Sequence, residues 1–262
     1  MTYNYIEDYL TVIQSKGRYS VTLNELKAKF DTSEKAVLQN IYRLKSKNQL
    51  AQVRKEFYVI IPPRYSNRGM VPPTLFIGDM MKFLNRNYYV ALLSAAALHG
   101  AGHQQPMEFQ VMTKKPPLRS IKNQKLTISF FTKGKWEKDQ IIEKKTETGY
   151  INVSIPELTA FDLVYHNKKT GGLNRIIPIL EELTESMKPM RLARVAKSQK
   201  TPTIQRLGYL LSEMGNDILT NPLSRIVENI NAQEIPLALA HKVRTGKVDE
   251  KWKIIVNTEL EF

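Results

Sequence analysis

The sequence predicts an α+β protein in which a small, mainly helical module is followed by a larger mixed α/β part that is mostly helical towards its C-terminus. Three observations predict this class. Apolar residues recur at helical spacing in the first part of the chain, short β-branched and aromatic stretches follow, and helical patterns dominate from residue 156 onwards. The chain has 262 residues, which is long enough for one large domain or two modest ones.

The N-terminal module begins with two helices and a short strand. Apolar residues at helical spacing precede Gly17, which predicts a first helix that ends there. The β-branched and aromatic stretch RYSVT is typical of a strand. Thr22 can cap a second helix, because Glu25 three residues later completes the pattern of a capping box.

A third helix and a hairpin complete the module. Ser33 or Thr32 can cap a helix over roughly residues 33–47, whose apolar stripe consists of Val37, Ile41 and Leu44. The stretch QLAQVRKEFYVII then predicts two short strands around a charged turn, RKE, which lacks the glycine expected in a tight turn. Helix, strand, helix, turn, helix and hairpin is the order of a winged helix-turn-helix, which we predict for residues 1–61.

A proline-rich segment at residues 62–73, PPRYSNRGMVPP, predicts a linker, because prolines cannot continue a helix or a central strand. Residues 74–262 are predicted to form the second domain, with the strand-like stretches FQVMT, KLTISFFT and YINVSI before the helices. The tail KWKIIVNTELEF predicts a final strand. The apolar stretch YYVALLSAAALHG is too short to cross a bilayer and predicts a buried helix that ends at Gly100.

The outward face of the third helix is the first candidate functional surface, because the apolar stripe leaves basic and amide side chains on the opposite side. Arg and Gln can contact base edges, Lys and Tyr suit phosphates, and a helix N-terminus favours an anion. The same face also suits a plain solvated helix. The residues predicted to contact DNA are Ser33, Lys35, Gln39, Tyr42, Arg43, Arg54 and Lys55.

The net charge supports an anionic partner. The chain has 39 Lys and Arg against 25 Asp and Glu, a formal charge of +14, which favours nucleic acid, an acidic protein or a membrane face. A second stretch, residues 186–211, is rich in cations and contains no acid. It predicts either a solvated helical face or a second surface for DNA, RNA or an acidic partner. Its cations are Lys188, Arg191, Arg194, Lys197, Lys200 and Arg206.

Several other functions find no support. Without cysteine the chain has no disulfide and no thiolate-ligated metal, and the N-terminus MTYNYIEDYL lacks the pattern of a signal peptide, so we expect a cytoplasmic protein with no membrane partner. His99 and His103 are separated by Gly-Ala-Gly where a helix ends, so we do not expect them to share a metal. The acid-x-Lys triplet at Glu143 recurs by chance in a Lys-rich chain. No catalytic residue, metal site or cofactor is predicted.

Four blocks of the sequence resemble those of the AbiEi-type antitoxins of bacterial type IV toxin–antitoxin systems, which act in abortive infection. These are YYVALLSAAALHG, SIPELTAFDLVYHNKKTGGLNRIIPILEEL, IQRLGYLLSEMG and the closing WKIIVN, behind the predicted winged helix-turn-helix. The resemblance implies an N-terminal domain that represses its own operon at promoter repeats, with two or more copies on the DNA. It also implies a C-terminal domain that neutralises a toxin of the nucleotidyltransferase superfamily, with or without direct contact.

Two alternatives remain at this point. One is a plain winged-helix regulator whose second domain senses a ligand, which a closed apolar pocket would favour. The other is a nucleic-acid-processing enzyme that the N-terminal domain targets, which a carboxylate cluster holding a divalent ion would favour.

Overall fold

The computed structural model describes residues 5–102, 106–238 and 246–261. The described residues of Met1–Tyr89, Met107–Gly134 and Glu143–Asn152 form one compact unit. Those of Val90–Pro106, Lys135–Ile142 and Val153–Phe262 form a second. The described residues contain both helices and several sheets, so the predicted mixed α+β class is confirmed.

The first unit contains the predicted N-terminal elements. They are α1 (Ile6–Ser15), β1 (Ser20–Thr22), α2 (Leu23–Lys29), α3 (Glu34–Ser46), β2 (Leu50–Arg54) and β3 (Phe57–Ile60). One cluster of buried side chains joins the three helices to the strands, and it includes Leu10, Leu26, Val37, Ile41 and Tyr58. The apolar stripe that predicted α3 is therefore the inward face of that helix.

Two caps fix where α2 and α3 begin. The Thr22 hydroxyl accepts a hydrogen bond from the backbone N–H of Glu25, and the Ser33 hydroxyl accepts one from Ala36. Thr22 caps α2 as predicted, and of the two caps predicted for α3 the structure has Ser33. The capping box of α2 is only half formed, because the Glu25 carboxylate accepts hydrogen bonds from the Tyr9 hydroxyl and from the Arg18 guanidinium.

The three strands form an antiparallel sheet in the order β1-β3-β2. Arg54 pairs with Phe57, so only Lys55 and Glu56 form the turn of the β2–β3 hairpin. Glu56 has a φ of 62°, the left-handed conformation that glycine usually occupies in such a turn. Its carbonyl accepts a hydrogen bond from the backbone N–H of Leu23, which ties the turn to the start of α2.

The proline-rich segment is packed into the first unit. Short 3₁₀ turns occupy Pro63–Tyr65 and Pro73–Leu75, and Met70 and Val71 between them are buried. The compact first unit continues through this segment to α4 (Ile77–Phe83), where the Asp79 carboxylate accepts a hydrogen bond of 2.6 Å from the Ser20 hydroxyl. The predicted linker at residues 62–73 therefore does not coincide with the division of the chain.

A six-stranded sheet has the order β6-β7-β5-β4-β9-β8. Its strands are β4 (Tyr88–Val90), β5 (Phe109–Thr113), β6 (Ile121–Asn123), β7 (Leu126–Thr132), β8 (Ile141–Thr146) and β9 (Gly149–Ser154). Strands β5 and β7 are parallel, and β6 runs antiparallel to β7. The stretches FQVMT, KLTISFFT and YINVSI thus form strands, as predicted.

The prediction of one helix over residues 88–100 is wrong in its first part. Tyr88–Val90 is the buried strand β4, in which Val90 pairs with Val153 of β9, and the helix α5 covers only Leu92–Leu98. Two tyrosines and a valine favour a strand, whereas the alanines that follow favour a helix. The helix ends as predicted at Gly100, which has a φ of 86°.

Helices dominate the second unit. After α5 they are α6 (Pro156–Tyr165), α7 (Asn167–Thr170), α8 (Leu173–Thr184), α9 (Pro189–Ala196), α10 (Thr201–Glu213) and α11 (Asp217–Asn229). Helix α6 lies in the core, since Leu158, Phe161 and Leu163 are fully buried. The predicted C-terminal strand is reduced to β12 (Ile254–Val256), which pairs with β10 (Ile235–Pro236) and β11 (Lys247–Asp249).

Candidate nucleic-acid interface

Helix α3 presents the predicted contact residues on one solvent-exposed face. Lys35, Gln39, Tyr42 and Arg43 are all exposed, and the side chain of Tyr42 is the most open of the large apolar residues on this helix, at 73%. The four line a single open surface depression. Four of the predicted residues are therefore brought together on a surface that can accept a ligand from solvent.

Two further residues line the same depression and were not predicted. Glu34 lies in the first turn of α3, and its carboxylate forms an ion pair of 2.8 Å with the ammonium group of Lys27 on α2. Leu38 has 42% of its surface exposed. The helical spacing contained the signal for both, because Glu34, Leu38 and Tyr42 are four residues apart.

The N-terminus of α3 is also open to solvent. Ser33 is exposed, and its hydroxyl lies 3.3 Å from the amide nitrogen of Ala36. The first-turn N–H groups of a helix lack partners within the helix, and together with the helix dipole they favour an anion. This end of α3 can therefore hold a phosphate, although the carboxylate of Glu34 opposes one.

At the tip of the hairpin only one of the two predicted cations projects into solvent. The Lys55 side chain is 92% exposed. The Arg54 guanidinium lies 5.4 Å from the centre of the Phe130 ring and donates a hydrogen bond to the carbonyl of Arg119. Burial lowers the pKa of Arg54. Arg54 therefore joins the hairpin to Arg119 and Phe130 of the same unit. Lys55 is the solvent-exposed cation of the turn.

The predicted second basic surface does not include Arg206. This side chain is buried, and its guanidinium donates hydrogen bonds to the carbonyls of Pro236 and Leu237. Burial lowers its pKa. The prediction of an exposed Arg206 is wrong, because residue 206 faces the interior side of α10, where the guanidinium is the donor for these two carbonyl groups.

The other cations of this stretch are at least partly exposed, but acids from elsewhere in the second unit pair with two of them. Arg191 lies 3.9 Å from the buried carboxylate of Glu157, and Arg194 lies 3.2 Å from Asp139. Lys200 donates a hydrogen bond to the Tyr165 hydroxyl. The exposed cations of this stretch are Lys188, Arg194, Lys197 and Lys200. The net positive charge of this surface is thus lower than the sequence of the stretch alone implies.

The histidine pair is only partly described. His99 is the C-cap residue of α5, and its ring Nε2 lies 2.6 Å from the carbonyl oxygen of Ser154, to which it donates. His103 lies outside the described residues. Within residues 5–102, 106–238 and 246–261, no three His, Asp or Glu side chains come together in a way that could hold a metal ion. In the same ranges no helix has the length and apolarity that a bilayer crossing requires.

Fold and surface together define a mixed α+β protein whose N-terminal part exposes a capped, cation-bearing helix. Residues 89–213 match the family model of the AbiEi antitoxin C-terminal domain, so the predicted resemblance to AbiEi-type antitoxins is confirmed. The crystal structure of the RV2827C protein from Mycobacterium tuberculosis is similar, with a TM-score of 0.67 and 16% identity over 97% of this chain and 92% of that chain. At this identity the likeness concerns the fold alone. Comparison with curated proteins gives no match.

Proposed function

We propose that this protein is a DNA-binding autorepressor and antitoxin, which binds repeats in its own operator through residues 5–61 and counteracts a nucleotidyltransferase-type toxin. The observation that carries the DNA-binding part is the outward face of α3. Lys35, Gln39, Tyr42 and Arg43 lie together in solvent there, while the apolar stripe on the other side of the helix is buried.

The arrangement of the N-terminal elements supports a winged helix-turn-helix. Only residues 30–33 separate α2 from α3, and the β2–β3 hairpin that follows ends in the exposed Lys55. In this class of protein the second of the two helices enters the major groove and the hairpin contacts the neighbouring backbone. Helix α3 is then the reading helix, and the turn of the hairpin is the wing.

The chemistry of the α3 face matches duplex DNA. The Arg43 guanidinium has the planar fork that pairs with guanine O6 and N7, and the Gln39 amide can pair with adenine. Lys35 and Lys55 suit phosphates. Because each neutralised phosphate releases counterions, and the whole chain carries a formal charge of +14, binding should depend strongly on salt.

The antitoxin part of the proposal is carried by the family match over residues 89–213. Repression by AbiEi-type antitoxins at repeats implies two or more copies on the operator, so α3 of each copy reads one repeat. The exposed cations Lys188, Arg194, Lys197 and Lys200 provide a second surface for an anionic partner, weakened by the nearby acid Asp139.

The DNA-binding part is tested with the full-length protein and the promoter fragment upstream of its own gene. Binding to this fragment and to a scrambled duplex is titrated at several salt concentrations, with wild type, Arg43→Ala and, as a matched control, Lys251→Ala, which removes an exposed cation from the second unit. Wild type and control should prefer the promoter, and Arg43→Ala should lose most of that preference. Equal binding of promoter and scrambled DNA by wild type contradicts repression through this helix.

The antitoxin part has a separate test. The neighbouring gene is expected to encode a nucleotidyltransferase, whose induction should arrest growth, and coexpression of this protein should restore it. Arg43→Ala should protect as well as wild type when both are expressed from an unrelated promoter, since the α3 face is not needed for neutralisation. Growth arrest that this protein does not relieve contradicts the antitoxin role and leaves the DNA-binding result standing.

A further inference from the structure

Leu38 is an apolar side chain in the middle of the proposed reading surface. It has 42% of its surface exposed, and it lines the depression that also contains Lys35, Gln39, Tyr42 and Arg43. Helical spacing places it next to Lys35 on one side and Tyr42 on the other. A side chain at this position is covered when α3 enters a groove of the DNA.

Its chemistry limits what it can contact there. Leucine neither donates nor accepts a hydrogen bond, so it gains from burial only against another apolar group. The bases present one such group in the major groove, which is the 5-methyl group of thymine. The phosphates and the hydrogen-bonding base edges are partners for the polar side chains of the same face.

We propose that Leu38 is a specificity-determining residue that recognises the 5-methyl group of a thymine in the operator. The inference rests on the proposed DNA binding through α3. It assigns to this protein a preference for a T·A pair at the position opposite Leu38, beside the position read by Arg43 or Gln39.

Charge argues for DNA as the occupant of this face and against a second copy of the chain. In a two-fold contact through the same patch, Lys35 and Arg43 would face the same two cations of the partner copy. The acid on this face, Glu34, is already paired with Lys27 and adds little compensation. A duplex supplies negative charge around an apolar methyl group, which complements a leucine between cations.

The experiment replaces thymine by deoxyuridine, which lacks only the 5-methyl group. The promoter fragment upstream of the gene is footprinted with the full-length protein, and each thymine in the protected stretch is exchanged in turn, together with its counterpart in the repeat. Affinities are measured for wild type, Leu38→Ala and Tyr42→Phe. The control Ile218→Ala shortens an exposed apolar side chain of the second unit, 74% exposed.

At one thymine position, removal of the methyl group should lower the affinity of wild type by about fourfold per repeat. This is the scale expected for one buried methyl group. Leu38→Ala should bind the natural promoter more weakly and should not distinguish thymine from deoxyuridine at that position. Tyr42→Phe and Ile218→Ala should keep the full difference. Thermal melting of Leu38→Ala should be close to that of wild type, because Leu38 is exposed and does not belong to the buried cluster of the N-terminal elements.

Three results overturn the proposal. Either no thymine is sensitive, or the sensitivity persists in Leu38→Ala, or Leu38→Ala changes the oligomeric state of the protein without DNA, which would assign the leucine to contact with a second copy. If wild type does not prefer its promoter over scrambled DNA, the proposed sequence-specific DNA binding is itself contradicted. That outcome is visible before any thymine is exchanged, so the two failures are distinguishable.

Discussion

Gly208 lies directly against the indole ring of Trp252. A Cβ atom at position 208 would be 2.0 Å from Cζ3 of the ring, and Trp252 is completely buried. Two residues on the same face of α10 hold the tryptophan in place. The Gln205 side-chain amide donates a hydrogen bond to the Trp252 carbonyl, and the Trp252 indole N–H donates one to the Ser212 hydroxyl. The blocks IQRLGYLLSEMG and WKIIVN, far apart in sequence, thus form one packed contact.

Gly208→Ala should destabilise the protein by about 1–3 kcal/mol or more, because neither the ring nor the helix has room for a methyl group. Helix propensity alone predicts the opposite sign, a gain of about 1 kcal/mol for alanine inside a helix. Urea unfolding measures the change. Gly134→Ala is the control, since a Cβ atom there meets nothing within 4 Å. A stable Gly208→Ala variant would mean that Trp252 is displaced at little cost.

Arg206 should be important for folding and not for binding an anionic partner. Arg206→Met leaves the part-buried carbonyl of Pro236 and the buried carbonyl of Leu237 without their donor and should cost about 2–4 kcal/mol. Lys197→Met removes an exposed cation from the same basic stretch and should change stability by less than about 0.5 kcal/mol. Thermal and urea unfolding compare the two variants. Equal stability of both would place Arg206 on the surface after all.

The local features of the N-terminal module were predictable because neighbouring residues determine them. The stripe of Val37, Ile41 and Leu44 sets which side of α3 is buried, and the caps Thr22 and Ser33 set where two helices begin. The outward face of α3 follows from the same spacing. Most of the proposed contact surface was therefore available from the sequence.

The errors about the cations concern contacts between residues that are distant in sequence. Nothing near Arg206 indicates that Pro236 and Leu237 need a donor, and the stretch around Arg194 does not contain its partner Asp139. Arg54 was expected to be a solvent-exposed cation at the hairpin tip. Its local sequence does not reveal that it packs on Phe130, which belongs to a strand more than seventy residues further along. Charge patterns in sequence locate cations but not the acids or carbonyls that tertiary structure brings to them.

The turn of the hairpin should become more stable with a glycine. Glu56 has a φ of 62°, a left-handed conformation that costs a residue with a side chain about 1–2 kcal/mol. Glycine avoids this cost, but part of the gain is offset because glycine makes the unfolded chain more flexible. Glu56→Gly should therefore raise the free energy of unfolding by about 0.5–1 kcal/mol relative to Glu56→Ala, since both variants lose the same carboxylate. Urea unfolding measures the difference. An alanine variant as stable as the glycine variant would show that this backbone position is not strained.

Two substitutions of Ser33 can distinguish its role as the N-cap of α3 from a phosphate contact at the same helix end. Ser33→Ala should cost about 1 kcal/mol of stability, because the N–H of Ala36 loses its acceptor. Ser33→Asp restores a good cap and should melt like wild type, yet its negative charge should weaken DNA binding at the helix N-terminus. Melting and promoter titration together give both readings. If Ser33→Asp binds the promoter as tightly as wild type, no phosphate lies at this end of α3.

Arg43 and Lys55 should affect DNA binding in different ways. Arg43 is exposed on the proposed reading face of α3, so Arg43→Ala should cost about 1–3 kcal/mol on the promoter and reduce the preference over scrambled DNA. Lys55 is 92% exposed at the hairpin tip, where we expect only a phosphate within its reach, so Lys55→Ala should weaken both duplexes alike and reduce the salt dependence by about one counterion. Titration of both duplexes over a range of salt concentrations separates the two effects.

The opposite pattern is equally informative about the helix. If Arg43→Ala weakens promoter and scrambled DNA equally, α3 binds the backbone, and sequence is read by other residues. If neither variant changes binding, DNA contact moves away from the N-terminal elements and towards the exposed cations of the second unit. Lys197→Ala then becomes the decisive variant, because Lys197 is exposed there, whereas Arg194 has Asp139 at 3.2 Å to offset its charge.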